Sequence, residues 1–164
     1  MMKLLQWLQR AGASVFFLGY IPLMPGTIGS ALIAGALWYL QRYRHIALTP
    51  QVWWLCALAL IVVSVLLSSG SRHIFGHEDP KQVIIDECAG QFITFFFVPL
   101  TLNSLILGFL LFRFFDIVKL YPIYKMEELE GGIGITMDDV VAGVFANVSL
   151  MVIVWGYHMV KAAL

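Results

Sequence analysis

The chain has 164 residues, 60% of them hydrophobic and only 12% charged, with ten Lys and Arg balancing ten Asp and Glu. Soluble domains average roughly 45–50% apolar and about 25% charged residues, so this composition excludes an ordinary water-soluble fold. A net charge of zero gives no indication of a nucleic-acid partner.

The predicted elements make one all-α domain over residues 1–164, a polytopic membrane helical bundle of about four transmembrane helices. Residues 3–10 read as a short amphipathic helix at the interface, carrying Lys3 and Arg10. The stretch "MMKLLQWLQRAGASVFFLGYIPLMPG" has some features of a signal peptide, but Pro22 and Pro25 interrupt it and no clean cleavage site follows. A broken or re-entrant segment is expected near Pro22–Pro25, followed by a helix from about Thr27 to Leu40. Residues 51–70, "QVWWLCALALIVVSVLLSSG", have the length and apolarity of a span, with Trp53 and Trp54 as interfacial anchors. After a polar loop, Asp79 as N-cap and Pro80 at the first helical position predict a helix running to about Val98. Pro99 to Asn103 turn the chain, and residues 104–120 return as a helix. Residues 121–136 read as a polar loop ending in "GGIGIT", and a last helix covers roughly 137–160.

The order of signs along the chain carries more information than the net charge. All ten acids lie between Glu78 and Asp139, which predicts one acidic locus assembled from several segments. Seven of the ten basic residues (Lys3, Arg10, Arg72, Lys81, Arg113, Lys119, Lys125) fall on the face expected to carry those acids, leaving Arg42, Arg44 and Lys161 opposite. An excess of Lys and Arg marks the cytoplasmic side. Cys56 and Cys88 match neither a disulfide framework nor a metal spacing and read as small core residues.

Val83, Asp86, Glu87 and Gly90 have the spacing of one helical stripe, which would set both acids about two turns inside their helix, beyond the reach of capping. Arg113, Asp116 and Lys119 line a second stripe, and Asp138 and Asp139 are expected in the first turn of the last helix. Carboxylates within a membrane protein are costly and face a partner or a wet cavity. A divalent cation suits four or five oxygens, and Mg²⁺ suits carboxylate and water where zinc would want His and Cys. Cations beside such a metal make sense if an anion completes the site. The "PGTIGS" turn, with Thr27, Gly29 and Ser30 at a helix start, and the "GGIGI" loop could each meet a phosphate.

Plainer readings stand beside these. Asp79 before Pro80 caps a helix on its own merits, and Thr136 with Asp139 has capping-box spacing. Arg113, Asp116 and Lys119 could be a structural ion cluster. "PGTIGS" alone is commonly a turn, Glu127, Glu128 and Glu130 read as a solvated loop, and His73 and His77 as exposed loop residues. A cation- or proton-coupled transporter would also cluster acids, though usually mid-span and with internal repeats, which are absent.

Four segments in order, "PGTIGS", "EDPKQVIIDECAGQFI", "FRFFDIVKLYPI" and "GGIGITMDDVVAGVFAN", resemble the bacterial phosphatidylglycerophosphatase A family, from about Gly19 to Asn147. The resemblance implies a Mg²⁺-dependent membrane phosphatase that converts phosphatidylglycerophosphate to phosphatidylglycerol at the cytoplasmic face of the bacterial inner membrane. The family's motifs fall on Asp79, Asp86 and Glu87, on Arg113, Asp116 and Lys119, and on Gly131, Gly132, Gly134, Asp138 and Asp139. One departure is "KLYP", where the family reads Lys-Pro-Trp-Pro. On this reading Asp86, Glu87, Asp138 and Asp139 hold the metal, and Asp79, Asp86, Glu87, Asp116 and Asp139 serve catalysis. Thr27, Gly29, Ser30, Arg113 and Lys119 meet the phosphate. Attack by water and an aspartyl-phosphate intermediate both remain open.

Overall fold

The computed structural model describes residues 2–45, 48–77 and 80–163. The described residues are helical, with no strand among them. α1 (Met2–Ala13) leads through a short 3-10 turn, Leu18–Tyr20, to α2 (Pro25–Arg44), and α3 (Pro50–Ser68) follows. α4 (Ser71–Phe75), α5 (Ile85–Thr94), α6 (Leu102–Val118), α7 (Ile123–Glu127) and α8 (Gly131–Ala163) complete the chain.

Two helices, α3 and α8, are long and apolar enough to cross a membrane. Only 22% and 28% of their most apolar windows are buried, so most of that apolar surface points outward. Leu55, Leu58, Leu66, Val152 and Trp155 are all more than 60% exposed. A core helix of a soluble protein would turn such side chains inward, whereas a bilayer solvates them. The α1 helix shows the same preference, with Leu4, Leu5, Trp7 and Leu8 exposed. Its other side docks on the end of α3, where Gln9 Nε2 donates to the carbonyls of Leu67 (3.1 Å) and Ser69 (2.6 Å).

α5 is the centre of the bundle and packs most extensively on α8. A Cβ on Gly90 would strike the Asp139 carbonyl and the Phe112 ring, and one on Gly143 would strike the Gly90 carbonyl. The two backbones therefore touch where any larger residue would force them apart. Below that contact lies the core, with Phe95, Leu150, Phe92 and Trp53, the last two rings 4.5 Å apart. Trp53 is thus a core residue at 7% exposure, while Trp54 at 63% takes the outward position expected of both.

The end of α5 is held from α8, where Asn147 Nδ2 donates to the carbonyls of Thr94 (2.9 Å) and Phe96 (2.7 Å). These are the acceptors that a helix C-terminus leaves unpaired. α6 begins on a capping box formed by Thr101 and Ser104.

Three boundaries differ from the sequence expectation. The helix predicted from Pro80 to Val98 occupies only Ile85–Thr94. Its ten residues span about 15 Å, half of the hydrocarbon core. Residues 80–84 are a turn and irregular chain, in which the Ile84 N–H donates to the Ala13 carbonyl (3.0 Å) and Val83 and Ile84 are buried. The last helix starts at Gly131 instead of residue 137, and a short helix, α7, interrupts the predicted polar loop.

Candidate functional site

Those boundary changes exchange the depths expected of the two acidic pairs. Asp86 and Glu87 lie in the first turn of α5, at its electropositive end, not two turns inside. Asp138 and Asp139 lie two turns inside α8, not at its start. Thr136, expected to cap that helix, is instead buried, with its hydroxyl 2.7 Å from that of Ser64. The outcome is still one locus, because the start of α5 packs beside the second turn of α8.

The site is a cavity of about 440 Å³. Asp86, Glu87, Arg113, Asp116, Lys119, Asp138 and Asp139 line it, with Gly26 and Lys81 at its edge. One carboxylate oxygen from each of Asp86, Glu87 and Asp139 falls within 4.8 Å of the other two. Asp86 and Asp139 are 5% and 4% exposed. Glu87 Oε2 and Asp139 Oδ1 are buried with no hydrogen-bond partner among the described residues. Anionic oxygens left so close together in a desolvated place need a positive partner. An all-oxygen donor set without His or thiolate fits a hard divalent cation.

Arg113 reaches the cluster from α6. Its Nη1 is 2.7 Å from Asp116 Oδ2, an ion pair whose N–H alignment falls short of a hydrogen bond, and its Nε is buried without a partner among the described residues. The guanidinium therefore retains donors for a ligand. Lys119 closes α6 in a left-handed conformation, φ 46°, and its Nζ is 2.9 Å from Asp138 Oδ2 and 3.2 Å from Glu127 Oε1. Partial burial pulls its ammonium down, but the hydrogen bonds and charges of Asp138 and Glu127 outweigh this and hold it above its ordinary value. Lys119 is a fixed cation at the rim and not a proton donor near neutral pH.

Asp138, expected among the metal ligands, lies in the same cavity but outside the group of oxygens within 4.8 Å. Its Oδ2 takes Lys119 and its Oδ1 accepts the Asp139 N–H at 2.9 Å, so both oxygens are engaged. The "PGTIGS" turn meets the cluster through Gly26, where a Cβ would strike Glu87 Oε1 and lie 3.1 Å from Arg113 Nη1. Thr27, Gly29 and Ser30 do not line the cavity. Thr27 Oγ1 is buried without a partner among the described residues, Gly29 packs on the Ile84 backbone, and Ser30, fully buried, donates to the Gly26 carbonyl at 2.9 Å. Asp79 lies outside the described residues. Cys88 is buried, its thiol directed at the Gly29 carbonyl at 3.5 Å.

Gln91 went unnoticed in the sequence. It is fully buried one turn after Glu87, with neither amide atom partnered among the described residues. Its signal was an uncharged polar residue inside an apolar run, which is easily passed over beside two acids. A larger cavity of about 630 Å³ adjoins the first and shares Ile135 and Asp138 with it. Arg72, His73 and Glu127 line that space, which does not contain the carboxylate cluster. At the far end of α2, Arg42 and His45 line a separate pocket with Leu100.

Outward-facing apolar helices around a buried wedge of carboxylates, with arginine and lysine beside them, have the character of a membrane protein with one acidic pocket. The chain belongs to the phosphatidylglycerophosphatase A family, whose model matches residues 11–154, and so to a family of phosphatases. It is 34% identical over 142 residues to phosphatidylglycerophosphatase A of Escherichia coli, covering 85% of this chain and 78% of that one. The Haemophilus influenzae phosphatidylglycerophosphatase A is 33% identical over 137 residues, 82% of each chain. A putative phosphatidylinositol-3-phosphatase of Bacteroides thetaiotaomicron is 36% identical over 141 residues, 84% of this chain and 87% of that one. No solved structure matches.

Proposed function

We propose that the protein is a Mg²⁺-dependent phosphatase that hydrolyses phosphatidylglycerophosphate to phosphatidylglycerol and inorganic phosphate. The observation that carries this reading is the meeting of Asp86, Glu87 and Asp139 within 4.8 Å, in the same cavity as Arg113. Family membership supplies the reaction class. It also sets aside the transporter reading.

Asp86, Glu87 and Asp139 would hold the metal. When bound, Mg²⁺ neutralises charge on the phosphoryl group and makes water easier to deprotonate. Arg113 binds the phosphate oxygens through its fork of donors, with the Asp116 carboxylate paired beside its Nη1. Lys119, kept charged by Asp138 and Glu127, adds positive potential at the mouth. Hydrolysis of the monoester consumes one water. A water oxygen bonds to phosphorus while the bond from phosphorus to the glycerol oxygen breaks. The water's proton passes to a carboxylate of the cluster, and the departing oxygen gains one. Phosphoryl transfer asks for positioning and charge stabilisation above all, and this residue set provides both.

Four helices, α2, α3, α6 and α8, serve as spans in this reading, with α5 as a buried half-helix. The active site faces the cytoplasm of a bacterial inner membrane. Lys81, Arg113 and Lys119 lie at the cavity against Arg42 at the opposite end of α2, and the positive-inside rule assigns the side with more Lys and Arg to the cytoplasm.

A second substrate is favoured by the Bacteroides relative, whose name specifies a phosphatidylinositol 3-phosphate. Phosphate release by the purified protein, measured with both lipids under equal conditions, separates the two. A higher kcat/KM for phosphatidylglycerophosphate supports the proposal, and a preference for the inositol lipid replaces the substrate while retaining the chemistry.

A further inference from the structure

The α2–α6 seam that brings Gly26 to Arg113 continues away from the site as an apolar groove of about 260 Å³. Ala31, Gly35 and Trp38 form one wall and Leu102, Ile106 and Phe109 the other. Gly35 has no role in packing: a Cβ there would meet nothing within 4 Å. This separates it from Gly26 and Gly29 on the same helix, which are small because Glu87 and Ile84 press against them. A glycine inside a helix is less favourable than alanine, and here no protein neighbour requires it. Its effect is to deepen the groove.

The groove lies in register with the site on both helices. At 1.5 Å per residue, Ala31 is about 7 Å and Trp38 about 18 Å along α2 from Gly26. On α6, running the other way, Phe109 is about 6 Å and Leu102 about 17 Å from Arg113. The groove thus begins roughly one glycerol unit from the guanidinium and ends near the depth of one leaflet, about 15 Å of hydrocarbon.

We propose that this groove seats one acyl chain of the lipid whose phosphate occupies the cavity of Asp86, Glu87 and Asp139, an inference that rests on the lipid-phosphatase reading above. The surrounding bilayer is as apolar as the groove, so seating the chain adds little hydrophobic driving force. Its contribution is orientation: a chain held along α2 and α6 fixes the glycerol and points the phosphate at Arg113.

The test replaces Gly35 with leucine, whose Cβ has no protein atom within 4 Å and whose remaining atoms occupy the groove, and uses full-length protein in mixed micelles. Phosphatidylglycerophosphate with sixteen-carbon chains is compared with its six-carbon counterpart, which is too short to run the length of the groove. In Gly35→Leu the ratio of kcat/KM for long over short chains is expected to fall about tenfold. In Gly156→Leu, where a Cβ also meets nothing within 4 Å but on α8 away from the seam, the ratio stays at the wild-type value. An unchanged ratio in Gly35→Leu overturns the proposal, and if the variant also loses a dimer seen for the wild type, the groove holds a second copy instead. A photoactivatable diazirine on the acyl chain of the long lipid provides a readout independent of turnover. Adducts concentrated on residues 31–38 and 102–109, and lost in Gly35→Leu, establish the acyl site even if the wild type releases no phosphate, in which case only the enzymatic reading falls. Adducts spread over all outward-facing helices remove the groove even from an active enzyme.

Discussion

Gly26 and Glu87 are in direct contact: the first turn of α2 lies so close to the carboxylate that a single methyl group on Gly26 would displace Oε1. The Arg113 guanidinium stands on the other side of the same small space, 3.1 Å from where that methyl group would be. Gly26→Ala should therefore lower kcat/KM by about 10²-fold, the cost of moving a catalytic group by roughly 1 Å. Thermal unfolding in detergent should change little, because the displaced atoms border a cavity. A fully active Gly26→Ala would show that Glu87 can move without consequence.

Arg113 is expected to tolerate no substitution. On the proposed reading, alanine at this position removes the charge that meets the phosphate, and kcat should fall by about 10²–10³-fold, as when a transition-state donor is deleted. Lysine keeps the charge but loses the planar fork of donors, so Arg113→Lys should recover only part of the activity. Steady-state kinetics of both variants distinguish this role from a purely structural ion pair, for which lysine would restore full activity.

Ser30 provides the contrasting case. Its hydroxyl is fully buried and bonded to the Gly26 carbonyl, away from the cavity. Ser30→Ala should cost about 1 kcal/mol of stability through the lost hydrogen bond and leave KM near the wild-type value. A large rise in KM would return Ser30 to the phosphate site.

Asn147 carries the clearest stability prediction. Asn147→Leu leaves the Thr94 and Phe96 carbonyls without their donor, at about 1–3 kcal/mol for each acceptor left unsatisfied. Denaturation in mixed micelles should show the loss, with activity per folded molecule preserved if α5 keeps its place.

Much of this arrangement was legible in the sequence. Length and hydropathy marked α3, the charge order announced a single acidic locus, and the motifs around Glu87, Arg113 and Asp139 named its members. Depth was misread because the local signals pointed the wrong way. Pro80 has the chemistry of a helix start, yet the buried Val83 and Ile84 and the bond from Ile84 to Ala13 hold that stretch out of the helix. The glycines from 131 to 134 read as a loop by propensity. Gly132 and Gly134 nevertheless lie in α8, where a Cβ would strike the Val65 and Leu129 carbonyls, while Gly131 opens the helix with a φ of +68°. Trp53 and Trp54 were indistinguishable as neighbours in sequence, and only packing on Phe92 assigns one of them to the core. Tertiary contact overrode local preference in all three places.

The most direct test of the account is phosphate release from phosphatidylglycerophosphate by the purified protein, with and without Mg²⁺, beside Asp86→Asn. The account predicts release that requires Mg²⁺ and falls to background in Asp86→Asn, with the unfolding temperature of the variant close to that of the wild type. Release that persists in folded Asp86→Asn, or that is indifferent to the removal of divalent cations, would contradict it.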